Sequence, residues 1–406
     1  MNLDCTLFYV ERADMMQVTS RNTISSLAIL GTILLGVSVS NASIFRGENE
    51  TTSSSAMESI WELDIFNLPP TVPFPGEGWL GRIATTETAF LAPNGETYTS
   101  AYAALLENEP LKHPCRNFNA YINSIVLPST FAGRLVDMMG LDLAHYVLCY
   151  LRNFIGSIFV YYGVAFIFHY FCYIHPVSLE TFEKRGRPRP SAEIMWDQIK
   201  LAQASMAIYV LLPVADEYIV EQGWTQMYFT IAEIGGWTNY LIYFVLYFAL
   251  VEVGIYWMHR TLHTNKWMYK HIHLLHHKYN KPETLSPWAS IAFHPVDGIL
   301  QASPYLLALP IVPCHYLTHF ILLFFTAVWA TYIHDAMDLN IDPIMGSKYH
   351  TVHHTHYIYN YGQVFTFCDH IWNTYREPDG PTGVVTANKS RTRPTSGRGV
   401  KTTKAN

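Results

Sequence analysis

Three histidine clusters carry the chemistry of this sequence: His259-x-x-x-His263 in HRTLH, His273-x-x-His276-His277 in HLLHH, and His350-x-x-His353-His354 in HTVHH. Scattered at random, 19 histidines among 406 residues would spell H-x-x-H-H roughly 0.04 times; it occurs twice. Local enrichment excuses one such box but not three. On a helix, positions i, i+3 and i+4 share a side, so each box is expected to aim its imidazoles at a common point. Eight imidazoles packed together without a metal or strong hydrogen-bond partners would be costly. One tetrahedral zinc takes four ligands, so eight donors overfill a single ion and point to two. Spacing alone leaves iron and zinc both open; iron suits a site that activates oxygen.

Polar residues around the boxes are candidates to complete or orient the metal shell. His334, in IHDAMD, is expected to be a ninth ligand. Glu252, His294, Asp297 and Asp335 are candidates to hold ligand histidines in the right tautomer, although capping and turn formation are ordinary uses of Asp in such places. An intramembrane carboxylate such as Glu252 equally fits a stabilising pair. His271, His356 and His370 read as orienting or surface residues, His315 and His319 as structural, and the isolated His113 and His145 receive no function. The six cysteines form no C-x-x-C pair, which suggests neither a disulfide framework nor a cysteine zinc site.

The elements that position these residues are apolar. Half the residues are hydrophobic, 15% aromatic and only 14% charged, a balance that fits a membrane protein with polar tails. A net charge of −6 argues against nucleic acid as a partner. Residues 1–43 contain an apolar stretch that reads as a signal peptide or N-terminal anchor, and 44–140 carry no chemistry that the sequence names. A first span is expected from Asn153 to Ile174. The Lys184, Arg185, Arg187 and Arg189 cluster then puts the following loop on the cytosolic side. A second apolar stretch, Ile199 to Val214, leads to an acidic loop holding Asp216, Glu217 and Glu221, and a third span runs from Tyr240 to Met258. Ile299 to Val312 and Tyr316 to Ile333 read as a hairpin broken at Pro310 and Pro313. The fold class is therefore all-α: a polytopic helical bundle over 141–378 with a cytosolic, histidine-rich di-metal cap, and a disordered tail over 379–406.

The order and spacing of the boxes resemble the fatty acid hydroxylase superfamily, and AFHPVDG, IHDAMD and YNYGQVFTFCDHIWNTYREP are similar to sterol C5-desaturases of the plant and algal type. The similarity extends upstream through LRNFIGS and EQGWTQMYF, covering Leu151 to Pro378. It implies metal-ligand and catalytic roles for His259, His263, His273, His276, His277, His350, His353 and His354, with His334 joining them as a ligand. It also implies a multi-pass endoplasmic-reticulum enzyme with two iron ions. Such an enzyme takes a Δ7-sterol, oxygen, and NAD(P)H electrons through cytochrome b5 or its reductase, and introduces the C5–C6 double bond. Tyr349 stands where the family often has a further histidine, and CDHIWNTYR replaces a pattern usually closer to WDRIGGSYR. Competing readings are a sterol or lipid hydroxylase or methyl-sterol oxidase of the same superfamily, a membrane metal transporter, and a catalytically silent sterol binder.

Overall fold

A computed structural model describes residues 114–176, 189–335 and 341–379. The apolar segment near the N-terminus, Lys184 to Arg187 and the tail past residue 379 lie outside the described residues. The fold is helical: α1 (Pro114–Val126), α2 (Ser129–Met139), α3 (Leu141–Tyr173), α4 (Ala192–Tyr209), α5 (Leu211–Glu221), α6 (Trp237–Thr264), α7 (Lys266–His271), α8 (Pro295–Ala308), α9 (Tyr316–Ile333), α10 (Ser347–His356) and α11 (Phe367–Ile371). Among the described residues, four stretches are long and apolar enough to cross a membrane: α3, α4 continuing into α5, α6, and α9. Their outer faces expose large apolar side chains, among them Phe159, Phe166, Leu241, Val245 and Ile321. A row of this kind would be an aggregation hazard in water and is the natural face toward lipid. The protein is a multi-pass membrane protein.

The expected spans appear with different edges. Helix α3 begins 12 residues before Asn153, because the polar residues of its first turns are buried against partners: Arg152 pairs with Glu217, and His145 with Glu221. The acidic loop predicted at Asp216, Glu217 and Glu221 is instead helix α5, with all three acids buried. Pro213 does not break it, since it sits in the first turn where a missing N–H costs nothing, and Arg152, Asn153, His145 and Asn119 meet Glu217 and Glu221. The expected hairpin is α8 and α9.

Helix α6 packs on α8 at close range. A Cβ on Gly254 would lie 2.7 Å from Pro304 Cβ, so only glycine permits that approach. Around Tyr247, Val251 and Ile255 of α6 the core is completed by Tyr305, Ala308 and Leu309 with Leu322 of α9. A second core joins Val164, Phe168, Cys172 and Tyr173 of α3 to Val328, Trp329, Tyr332 and Ile333 of α9, and to Met345 and Tyr349 beyond it. At the opposite end, a two-residue parallel pair sets Met227 beside Cys314 and Tyr228 beside His315. The C-terminal ends of α3, α6 and α9 and the N-terminal end of α4 therefore converge at one end of the bundle, where the histidines lie.

Candidate metal centre

Each box reaches the site on a different support. His259 and His263 sit in the last turns of α6, one turn apart on one face. His273, His276 and His277 lie on a 3-10 helix, His273–Lys278. Within it the i and i+4 rings, His273 and His277, face one way and His276 another. The third box lies on α10, and His334 follows the last residue of α9.

The nine histidines gather into two groups, not around one point per box. One contains His259, His263, His273, His277 and His353; the other His276, His334, His350 and His354. The second and third boxes are each divided between the groups, so the expectation that a box aims at one point is corrected. All but the half-buried His263 are buried.

The inward-facing atom is Nε2. In the five-histidine group Nε2 separations are 2.9 Å from His263 to His273, 3.1 Å from His273 to His277, and 3.2 Å from His277 to His353. In the four-histidine group they are 3.4 Å from His276 to His334, and 3.1 Å both from His334 to His350 and from His350 to His354. Ligands at about 2.1 Å from one ion are separated by roughly 3.0 Å at octahedral and roughly 3.4 Å at tetrahedral edges. All six distances match such edges.

The outer nitrogens fix the protonation. Nδ1 donates to Tyr361 O from His259 (3.0 Å), to Tyr359 O from His353 (2.9 Å), to Asp297 Oδ2 from His273 (2.7 Å), and to Ala330 O from His334 (2.6 Å). Those partners only accept, so in each neutral ring the proton is on Nδ1 and Nε2 presents a lone pair. His259 Nε2 is buried with no hydrogen-bond partner. Converging lone pairs repel one another, and a cation relieves that repulsion. Protonation offers no escape. Burial first, then neighbouring imidazoles, push His276, His277, His350, His353 and His354 well below the ordinary histidine range. Burial takes His334 down to about 4, against the pull of the Ala330 carbonyl. By donor chemistry, spacing and protonation, the two groups fit two metal ions.

The proposed orienting residues divide. Asp297 holds His273, and is itself held by Gln301 Nε2 at 2.8 Å. Glu252 touches no imidazole; its Oε2 accepts the N–H groups of Val364 and Phe365, each at 3.2 Å. His294 caps α8 by accepting from Val296 N–H, and no contact joins it to the nine. Asp335 is buried beside His334. His271 lies tilted against Trp267, His356 contacts Thr355, and His370 stacks on Tyr375. His315 donates to Phe229 O and His319 meets Tyr247, both far from the cage.

Sequence reasoning missed the loop that supplies the Tyr359 and Tyr361 carbonyls. Asp369 accepts from Tyr361 N (2.8 Å), Gly362 N (2.9 Å) and Thr374 Oγ1 (2.7 Å). Burial nonetheless raises its carboxyl to about 6, with those three donors pulling the other way. Asn360, at φ 56°, bonds the carbonyls of Tyr349 and Arg376 and the Arg376 N–H. A Cβ on Gly362 would lie 2.1 Å from Phe365 O. The available signal was N-Y-G within YNYGQVF, a turn word whose Asn tolerates left-handed backbone and whose Gly permits close approach.

Residues 244–374 match the sequence profile of the fatty acid hydroxylase family. The chain is 40% identical over 264 residues to a Delta(7)-sterol-C5(6)-desaturase of Nicotiana tabacum, covering 64% of this chain and 96% of that protein. The chain belongs to the sterol C5-desaturase family within the fatty acid hydroxylase superfamily. It is also 33% identical over 231 residues to lathosterol oxidase of Rattus norvegicus (55% of this chain, 73% of that one). To a Delta(7)-sterol 5(6)-desaturase of Candida dubliniensis it is 35% identical over 216 residues (53% and 54%). No solved structure matches the chain. The profile match begins inside α6 and ends past α11, so it encloses all nine histidines.

Proposed function

We propose that the chain is a sterol C5-desaturase that introduces the C5–C6 double bond into a Δ7-sterol, with two iron ions held by the nine histidines. The observation that carries this reading is the convergence of the Nε2 lone pairs at metal-edge spacing, in a chain that covers nearly the whole length of a Δ7-sterol desaturase. His259, His263, His273, His277 and His353 hold one ion; His276, His334, His350 and His354 hold the other. An all-imidazole shell leaves the irons more positive than the carboxylate-rich shells of soluble di-iron bundles, and so with a different redox balance.

Bound iron supplies the oxygen activation needed to attack an unactivated C–H bond. The remaining work belongs to side chains. Asp297 keeps the His273 proton on Nδ1; the Tyr359 and Tyr361 carbonyls do the same for His353 and His259, and Ala330 for His334. Glu252 and Asp369 hold the carbonyl-bearing loop. These four rings thus keep their bearing before substrate arrives, the preorganisation on which a choice between desaturation and hydroxylation depends. The sterol enters laterally from the bilayer between apolar spans. Overall, Δ7-sterol, O2, two electrons and two protons give the 5,7-diene and two waters. We assign the electrons to NAD(P)H, delivered through cytochrome b5 or its reductase, the site to the endoplasmic-reticulum membrane with the boxes cytosolic, and the desaturase domain to residues 141–378.

The test is expression in a yeast lacking its own sterol C5-desaturase, followed by ultraviolet spectroscopy of extracted sterols. A conjugated 5,7-diene is expected. Its absence despite stable expression overturns the reaction, and a hydroxylated sterol without diene replaces it with the hydroxylase reading.

A further inference from the structure

At the opposite end of the bundle from the histidine cage, helices α1, α3 and α5 bring a second set of donors together. His145 and Cys149, one turn apart on α3, face Glu221 at the end of α5, and all three are fully buried. His145 Nε2 lies 3.0 and 3.2 Å from the two Glu221 oxygens and 3.7 Å from Cys149 Sγ. His145 is separated from His169, near the cage end of the same helix, by 24 residues, or roughly 36 Å of rise. The triad is therefore no part of the cage.

We propose that His145, Cys149 and Glu221 form a separate zinc site that pins α5 to α3, with Asn119 and Asn123 of α1 hydrogen-bonded to its ligands. Three observations carry it. First, a single ring nitrogen faces both a sulfur and a carboxylate. As an N–H it has one hydrogen and serves one of them; as a lone pair on a cation, it shares that cation with both. With ligands at about 2.3 Å for sulfur and about 2.0–2.1 Å for nitrogen and oxygen, tetrahedral edges are roughly 3.6 Å for N–S and roughly 3.4 Å for N–O. The observed separations lie within about 0.4 Å of these edges.

Second, amides reach both donors whose anionic forms a metal requires, and the Cys149 thiol also has a carboxylate, Glu217, to which its proton is already hydrogen-bonded. Asn119 Nδ2 donates to Glu221 Oε1 at 2.7 Å, and Asn123 Nδ2 points at Cys149 Sγ at 3.4 Å. Donors of this kind stabilise carboxylate and thiolate. One carboxylate, one thiolate and a neutral imidazole sum to −2, which a divalent ion cancels; a neutral site is the form that tolerates burial in a span. Third, Asn123 Oδ1 is buried without a hydrogen-bond partner, which supplies an acceptor beside the site for a fourth ligand or for the water that occupies that position. The mixed set of sulfur, imidazole and one oxygen is suited to zinc, whereas hard ions prefer oxygen alone. The site is invisible to a search for paired cysteines, since its donors come one each from residue types separated by up to 76 positions.

The test uses the purified full-length protein, metal analysis and X-ray absorption at the zinc edge. Wild type is expected to carry about one zinc per chain with one sulfur neighbour at about 2.3 Å. The cage offers no sulfur, so that signature separates the two sites. Cys149→Ser and His145→Gln each should lower zinc at least tenfold while iron content stays at the wild-type level. Conversely, His277→Ala should lose iron and keep the sulfur-ligated zinc, whatever becomes of the desaturase reading. Should the α3 variants fail to fold, metal-free wild type titrated with cobalt(II) gives the same answer: a sulfur-to-cobalt charge-transfer band supports the site. Absence of sulfur around the zinc, no charge-transfer band, or full zinc retention in Cys149→Ser overturns the proposal.

Discussion

The two histidine groups of the cage differ in what holds their outer nitrogens. In the five-histidine group three of the rings are braced by acceptors: His259 by Tyr361, His273 by Asp297 and His353 by Tyr359. In the four-histidine group Ala330 braces His334 and the Ala292 backbone reaches His276, while Nδ1 of His350 and His354 is buried without a hydrogen-bond partner, as is Nδ1 of His277 in the first group. In the first group three of five rings are positioned before an ion arrives. In the second, two of four rings, His350 and His354, would depend on a bound ion to fix them. Such a difference makes the pair unequal in affinity while both remain necessary, because the tautomer and bearing of a metal-bound histidine are set by its outer partner.

The largest effect that sharpens this contrast comes from removing a donor. His350→Ala should abolish 5,7-diene formation and lower iron from two per chain to one. His277→Ala should abolish activity too, with the ion lost from the other group. Metal analysis beside sterol spectroscopy reads both, and a His350→Ala protein that keeps two irons would break the division into groups. Next in size is Asp297→Asn. Loss of the carboxylate that holds His273 should weaken metal affinity by about 10–100-fold, and only at the five-histidine group. Stepwise chelation measures it: in wild type the four-histidine group empties first, and Asp297→Asn should narrow or reverse that order.

Acid gives a smaller, graded effect on the metal-free protein. His334 has its pKa pushed from 6.5 to about 4 by burial. An unfolded chain takes up this proton near pH 6.5, the folded one only near pH 4. The contribution of His334 is therefore full above pH 6.5, is lost as pH falls from 6.5 to about 4, and declines no further below that. The other imidazoles shifted downward act with the same sign. Thermal melts of metal-free protein between pH 7 and 4 should show this decline, and a flat profile would contradict it. Smallest is Asp369→Asn, which keeps the shape but leaves one donor of the Tyr361–Gly362 turn unsatisfied. A buried unpaired N–H costs about 1–3 kcal/mol, so the melting temperature should fall while iron stoichiometry holds.

Much of this architecture is legible in the sequence, for identifiable reasons. The boxes and His334 stand out because histidine is rare and its spacing is regular, and the spans because their apolar runs are long. The start of α3 and the part of α5 beyond Val214 were hidden because Arg152, His145, Glu217 and Glu221 read as polar interruptions; only their pairing across helices makes them compatible with a buried helix. The division of His273 and His277 from His276, and of His350 and His354 from His353, depends on where the facing helices bring their own rings, which spacing within one box does not report. The bracing carbonyls of Tyr359, Tyr361 and Ala330 are backbone atoms, which every residue has, so no residue type marks them. His145 looked inert because its partners, Cys149 and Glu221, acquire meaning only when α3 and α5 are brought together.

The central claim is that nine histidines make two ion sites of unequal bracing. Anaerobic titration of metal-free protein with ferrous iron, followed by spectroscopic resolution of the two irons, tests it most directly. Saturation at two irons per chain in two steps is the expected result, the tighter step weakened by Asp297→Asn and the looser one removed by His350→Ala. Saturation at a single iron, or two irons lost together from His350→Ala, would contradict it.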